Sequence, residues 1–292
     1  MIHAMSTSAR LPAPRPAWSL ALLTALTMTA FAANSLLTRL ALQTTTIDPA
    51  SFGLVRIVAG ATMLGLIVVA TRRRTPVTRV GLASAALLFL YVVGFSYAYR
   101  HMDTGAGALV LFACAQLTMI AAGLVRGERT SPVDVALALA GLAVFLAPSP
   151  TAPPWGAIAL MGLAGLAWGG VSLLGRAGDS PLAGTASAFF WSVPLALASF
   201  ALQAQQVQID TPGVVYAVVS GALTSALGYV LWYRVRVRMA AITAGTVQLS
   251  VPVISAVLGV WWLGEHLTLR SVVAGGVVLL GIALTTRATH RR

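Results

Sequence analysis

Seven carboxylates, four histidines, one cysteine and nineteen arginines make up the charged and ligating chemistry of this chain, and no lysine accompanies them. Without a lysine there is no Walker phosphate loop and no Schiff-base enzyme. His3, His101, His266 and His290 are scattered with no ligand spacing, and Cys114 stands alone inside an apolar run. Such a set builds neither a metal site nor an internal disulfide. The carboxylates Asp48, Asp103, Glu128, Asp134, Asp179, Asp210 and Glu265 all fall in connections or in a terminal turn of an apolar segment. A carboxylate at mid-depth in a bilayer is the usual mark of a proton relay or a lipophilic-cation site. None is placed there, so the expected solute is neutral or zwitterionic, held by hydrogen bonds and aromatic contacts, and no cofactor is expected. The arginines lie between apolar runs and form no basic stripe interleaved with aromatics, so nucleic acid is not an expected partner.

Within the apolar runs a second group of side chains collects near mid-depth: Asn34, Tyr91, Gln116, Trp168, Tyr229, Gln248, Ser250 and Ser255. These are the candidate substrate-binding residues. Buried amides need partners, which a neighbouring helix or a solute in a wet cavity can supply equally well. Trp168 interrupts the small-residue run Gly162 to Gly170, where helices can approach closely, and reads as a cavity wall or as core packing. Arg56 lies one to two turns inside an apolar segment, a costly position unless the side chain reaches the surface or a partner. A structural or gating role is the leading reading for it, and a bond to a substrate carboxylate is the other. Tyr97, Tyr99 and Tyr233 are candidate gates, although an interfacial aromatic belt also accounts for them, as it does for Trp18, Trp155, Trp191, Trp232, Trp261 and Trp262. Pro194 and Pro252 interrupt helical segments where motion could be absorbed, and Pro252 would free a backbone carbonyl near the middle of its span.

The elements that must hold these residues are membrane helices. Of the 292 residues, 58% are hydrophobic and only 9% charged, with mean hydropathy +0.86. A soluble domain carries about 25% charged residues. Long apolar runs predict ten spans, near residues 17–42, 50–71, 80–99, 104–125, 133–147, 154–177, 182–203, 212–233, 241–263 and 269–286. Numbered from the amino end, the tails and even connections hold fifteen arginines and the odd connections three, Arg39, Arg100 and Arg270. Positive charge stays on the cytoplasmic side, which puts both termini on that side and requires an even number of spans. Arg10, Arg15 and the run to Ala33 also resemble a cleavable signal, but a similar pattern recurs in mid-chain.

That recurrence organises the whole sequence. A shift of 137 residues aligns Pro16 with Pro153, Trp18 with Trp155, Arg39 with Arg176, Phe52 with Phe189, Met102 with Met239 and Gly127-Glu128 with Gly264-Glu265. The chain therefore reads as a cytoplasmic tail (1–16), a five-helix repeat (17–147), a periplasmic linker (148–153), a second five-helix repeat (154–286) and a short cytoplasmic tail (287–292). Five is odd, so the second copy enters the membrane inverted. Inverted repeats offer two nearly equivalent packings and a central site open to either side in turn.

The segment Phe31-Ala32-Ala33-Asn34 and its twin Trp168-Gly169-Gly170-Val171, Arg56 in the second span, and the motif from Pro252 to Gly264-Glu265 before a glycine-rich last span form a recognisable set. It resembles the drug/metabolite transporter superfamily of EamA type, over about residues 17 to 286. The first half departs from the pattern, with Ala115 opposite Pro252 and Phe31 opposite Trp168. The resemblance implies an all-α integral membrane protein of ten helices in two inverted repeats. It further implies an inner-membrane exporter of small metabolites, nearest to the YddG-type amino-acid exporters, with helices 1 to 4 and 6 to 9 around a central cavity. A polytopic membrane enzyme would need a catalytic set that the sequence lacks, and a channel or scaffold would not need inverted halves. Uniport, antiport and proton coupling through edge carboxylates all stay open.

Overall fold

A computed structural model describes residues 17–73, 78–127, 132–147, 153–174, 180–236, 238 and 247–288. Among the described residues the architecture is all-α, with ten helices beside a short 3-10 turn at Ala204–Gln206: α1 (Ala17–Thr44), α2 (Pro49–Ala70), α3 (Arg79–Tyr99), α4 (Thr104–Val125), α5 (Pro132–Leu146), α6 (Trp155–Leu174), α7 (Pro181–Ala201), α8 (Thr211–Arg236), α9 (Ser250–Leu263) and α10 (Leu269–Ala288). Seven of these are long and apolar enough to cross a bilayer, and α5, α9 and α10 carry shorter apolar stretches. The tail 1–16, the linker residues 148–152, Glu128, Arg176 and residues 241–246 of the predicted ninth span lie outside the described residues.

Polar caps start the helices where the sequence breaks. Asp48 accepts from the backbone N–H groups of Ala50 and Ser51, Thr78 from Gly81, Ser180 from Ala183 and Asp210 from Gly213. Pro49, Pro181 and Pro212 sit in first turns, where a missing N–H costs no helical bond. Gly264 ends α9 at φ +65°, and its repeat twin Gly127 follows α4 at φ +84°. Both need the left-handed conformation that glycine adopts without strain, which explains why glycine precedes glutamate in both copies.

The core sits between the helices, and the outer surface is apolar. Leu66, Val69, Trp18, Trp155 and Trp261 are all largely exposed, a surface that lipid tolerates and water does not. Across the two halves α3 packs on α6 and α1 on α8; α4 packs on α6 and α1 on α9; α3 packs on α7 and α2 on α8. Helices α2 and α7, α4 and α9, and α5 and α10 also meet. Glycine permits the closest of these approaches. A methyl group on Gly165 would lie 2.5 Å from the Leu111 carbonyl oxygen, and one on Gly221 would lie 2.1 Å from that of Arg56.

One departure from regular helix was not legible in the apolar pattern. Residues Ser220–Leu227 of α8 form a π-helical stretch. The wider turn carries Ser220, Thr224 and Ser225, all buried, toward α1 and α2. Such bulges are frequent at functional sites, where they re-aim side chains.

Candidate functional site

Four helices bring an aromatic box to the middle of the bundle. Phe31 of α1 meets Trp168 of α6 edge-on at 5.7 Å between ring centroids, and Trp168 lies 4.7 Å from Tyr229 of α8 and 5.4 Å from Tyr91 of α3. Phe31 and Trp168 are twins in the 137-residue repeat. With Asn34, Ser35, Phe95, Leu111 and Phe112 these rings line a cavity of about 10 Å³. A cavity of that size holds at most one water, so the site is closed around nothing larger.

Polar groups border the box in a definite order. Asn34 donates from Nδ2 to the Tyr91 hydroxyl at 3.2 Å, while its Oδ1 accepts from Ser220, Thr224 and Ser225 at 2.7, 3.2 and 3.4 Å. The π-helical stretch thus supplies every hydroxyl that meets this amide oxygen. Arg56 is fully buried on α2. Its Nη2 donates to the Tyr91 hydroxyl at 3.0 Å and its Nε to Ser225 at 3.2 Å, and the guanidinium lies 5.2 Å from the ring centroid of Tyr91 and 5.0 Å from that of Phe95. Its Nη1 has no hydrogen-bond partner, nor do Trp168 Nε1, the Tyr229 hydroxyl and the Ser35 hydroxyl.

One end of the bundle is fastened above this box. Arg39, one helical turn beyond Ser35, donates from Nη1 to the Tyr99 carbonyl at 2.7 Å, from Nη2 to Asp103 at 3.3 Å and from Nε to Glu265 at 3.4 Å. Glu265, following α9, accepts from the Thr104 backbone N–H at 2.8 and 2.9 Å and from the Thr104 hydroxyl at 2.9 Å. Burial raises the Glu265 carboxyl above its ordinary value, and the Thr104 bonds and Arg39 only partly offset this. Beside the clamp, a second cavity of about 450 Å³ is lined by Asp48, Tyr97, Arg100 and residues 203 and 205–208. Burial opposes ionisation of Asp48 here, but hydrogen bonds from Ser51, Gln208 and Ala50 outweigh it and hold the carboxyl below its ordinary value.

The residues predicted from sequence separate into distinct places. Asn34, Tyr91, Trp168 and Tyr229 share the central box. Gln116, Gln248, Ser250 and Ser255 do not line it: Gln116 is buried on α4, Gln248 keeps an unpartnered Oε1, Ser250 donates to the Val247 carbonyl at 2.7 Å, and Ser255 is fully buried with no partner. Tyr97 hydrogen-bonds Gln203 on the wall of the larger cavity. Tyr99 is buried, stacked edge-on to Phe95 and bonded through its hydroxyl to the Thr104 carbonyl. Tyr233 is also buried, its hydroxyl 3.5 Å from the Val171 carbonyl. Neither Tyr99 nor Tyr233 belongs to an interfacial belt. Trp232 leaves that belt too, because it is 0% exposed and edge-on to Phe31 at 6.0 Å. Pro194 lies inside α7 on an exposed face. Pro252 stands in the first turn of α9, and helical residues 247 and 248 are separated from it by a break at Leu249. A proline there removes the N–H that would bond the Gln248 carbonyl. Phe31, Phe95, Ser220, Thr224 and Ser225 were not among the predicted binding residues. Only the pairing of Phe31 with Trp168 in the repeat could have flagged one of them.

A bundle of ten helical segments among the described residues, with an apolar exterior, is a multi-pass membrane protein. Residues 155–287 match the EamA-like transporter family. An uncharacterized protein of Pseudomonas aeruginosa is 46% identical over 266 residues, covering 90% of this chain and 93% of that one. An uncharacterized transporter of Archaeoglobus fulgidus is 39% identical over 67 residues, 23% of this chain and 24% of that one. A crystal structure of another protein superposes with TM-score 0.67 at 18% identity, over 94% of this chain and 99% of that one, which shows the fold. The chain belongs to the EamA-like transporters of the drug/metabolite transporter superfamily. It is accordingly a membrane transporter of small substrates.

Proposed function

We propose that the chain is a secondary carrier that exports amino acids, including aromatic or hydrophobic ones, or related small metabolites by alternating access across a bacterial inner membrane. Its moving parts are two inverted five-helix halves, residues 17–147 and 154–286, with both termini cytoplasmic. The observation that carries this reading is a closed aromatic box built from both halves, Phe31 and Tyr91 from one and Trp168 and Tyr229 from the other. Inverted repeats supply two exchanged packings, and a site at their junction opens to each side in turn. Support for a two-fold relation between the halves comes from the helix contacts, which recur in twinned pairs: α3 on α6 with α1 on α8, and α4 on α6 with α1 on α9. The clamp also joins the halves, Arg39 and Thr104 from one to Glu265 from the other. A channel reading is disfavoured by a central cavity of only about 10 Å³.

The test is purified protein in liposomes loaded with unlabelled phenylalanine. Saturable uptake of labelled phenylalanine that accelerates with internal solute supports a carrier. Unsaturable conductance, or saturable uptake of no member of an amino-acid panel, overturns it.

A further inference from the structure

We infer that Arg56 is the anion-binding residue of the central site, so that each transported solute presents one carboxylate to its guanidinium and lays an apolar or aromatic body in the box of Phe31, Trp168 and Tyr229. This rests on the carrier reading above and names the substrate chemistry within it.

The argument begins with charge. An arginine is not deprotonated in proteins, so a fully buried one must be neutralised or hydrogen-bonded. Among the described residues, Arg39 pairs with Asp103 and Glu265, whereas Arg56 has no carboxylate partner. Two hydroxyls and two ring faces satisfy part of the guanidinium, and Nη1 is left with no acceptor. Most buried N–H groups are paired within a protein, so an orphaned guanidinium N–H calls for an acceptor from elsewhere.

The surrounding groups point the same way. Trp168 Nε1 can only donate, and it too lacks an acceptor. The Tyr229 hydroxyl lies beside Arg56, and its proton can be donated to a bound anion as well. Against these stands the Asn34 amide oxygen, which is already met by three hydroxyls. The centre therefore has donors to spare and no spare carboxylate, the chemistry that receives an acceptor-rich anion. One cation matches one negative charge; a phosphate dianion would arrive with half its charge uncompensated. The amino group of a zwitterion needs no counter-charge here, because the faces of Phe31, Trp168 and Tyr229 can receive an ammonium.

The experiment uses the full chain in liposomes and inhibition of labelled phenylalanine exchange by three analogues: 3-phenylpropionate, phenylalaninamide and phenethylamine. Competition by phenylpropionate, with the amide and the amine at least about 30-fold weaker, is expected, since truncating one partner of a buried charge pair costs about that much. Arg56→Gln should weaken phenylalanine by a similar factor. Trp168→Phe keeps the ring, removes one donor and should cost about three- to tenfold. If Arg56→Gln does not fold, the analogue series on the unaltered chain and Trp168→Phe still decide. Equal inhibition by the amide, or a folded Arg56→Gln that exchanges normally, overturns the inference while leaving the carrier intact. A chain that exchanges neither amino acids nor any other carboxylate, but carries a neutral solute, also overturns it; a chain that carries nothing saturably removes the carrier reading itself.

Discussion

Replacing Arg39 by glutamine should loosen the clamped end of the bundle, and the structure sets the size of the effect. The guanidinium reaches 2.7 Å to the Tyr99 carbonyl, 3.3 Å to Asp103 and 3.4 Å to Glu265, and the Gln43 side-chain amide lies 2.6 and 3.0 Å from Nη1 and Nη2. The Asp103 side chain is 56% exposed, so that pair is screened and adds little. The short bond to a buried carbonyl and the longer one to the largely buried Glu265 together favour closure by about 2 kcal/mol, within the range for hydrogen bonds to charged groups. That corresponds to a shift of about 30-fold between closed and open populations. The readout is a cysteine at Ser35, which lines the central box one turn below Arg39, in a Cys114→Ser background. Its alkylation by a membrane-impermeant reagent should be slow in the parent chain and about 30-fold faster in Arg39→Gln. An unchanged rate in a variant with parental helicity and elution volume would refute the clamp.

The same cysteine reports the titration of Glu265. Burial, partly offset by Thr104, raises this carboxyl, so the clamped form holds its proton more tightly than an exposed glutamate would. By linkage closure is favoured below the ordinary carboxylate range and weakens as pH rises through the raised value. Alkylation, divided at each pH by that of the unfolded chain to remove the thiolate fraction, should therefore quicken with pH across the mildly acidic range and lose that residual dependence in Glu265→Gln; a residual acceleration on acidification would contradict it. Gly221→Ala places a methyl group 2.1 Å from the Arg56 carbonyl oxygen, so α2 and α8 must separate. A cost of about 1–3 kcal/mol is expected from such overpacking, seen as a lower thermal midpoint in detergent, and an unshifted midpoint would show that the approach is not tight. Pro252→Ala restores an N–H opposite the Gln248 carbonyl across the Leu249 break. It should slow exchange more than it lowers folded yield, and normal exchange at normal yield would count against a hinge at this point.

The polypeptide alone decided that this is a helical membrane protein with about ten spans, because burying a backbone in lipid demands long apolar helices and leaves that demand visible in the residue order. It also showed the 137-residue repeat, and with it the paired glycines at 127 and 264, whose positive φ angles demand glycine. Four of eight predicted binding residues meet in one box, since aromatic and amide side chains at mid-depth in lipid are conspicuous. The other four, Gln116, Gln248, Ser250 and Ser255, look the same by that criterion, yet none of them lines the cavity. Trp232 reads as an interfacial residue because it lies near a span end, yet the packing of α8 on α1 buries it. The π-helical stretch has no mark in the hydrophobic period, and it is what turns Ser220, Thr224 and Ser225 onto Asn34. What tertiary structure alone decided is the partnership of Arg56. Depth in the membrane follows from position along the chain, but whether a buried cation meets a carboxylate, a hydroxyl or nothing depends on helices far apart in sequence.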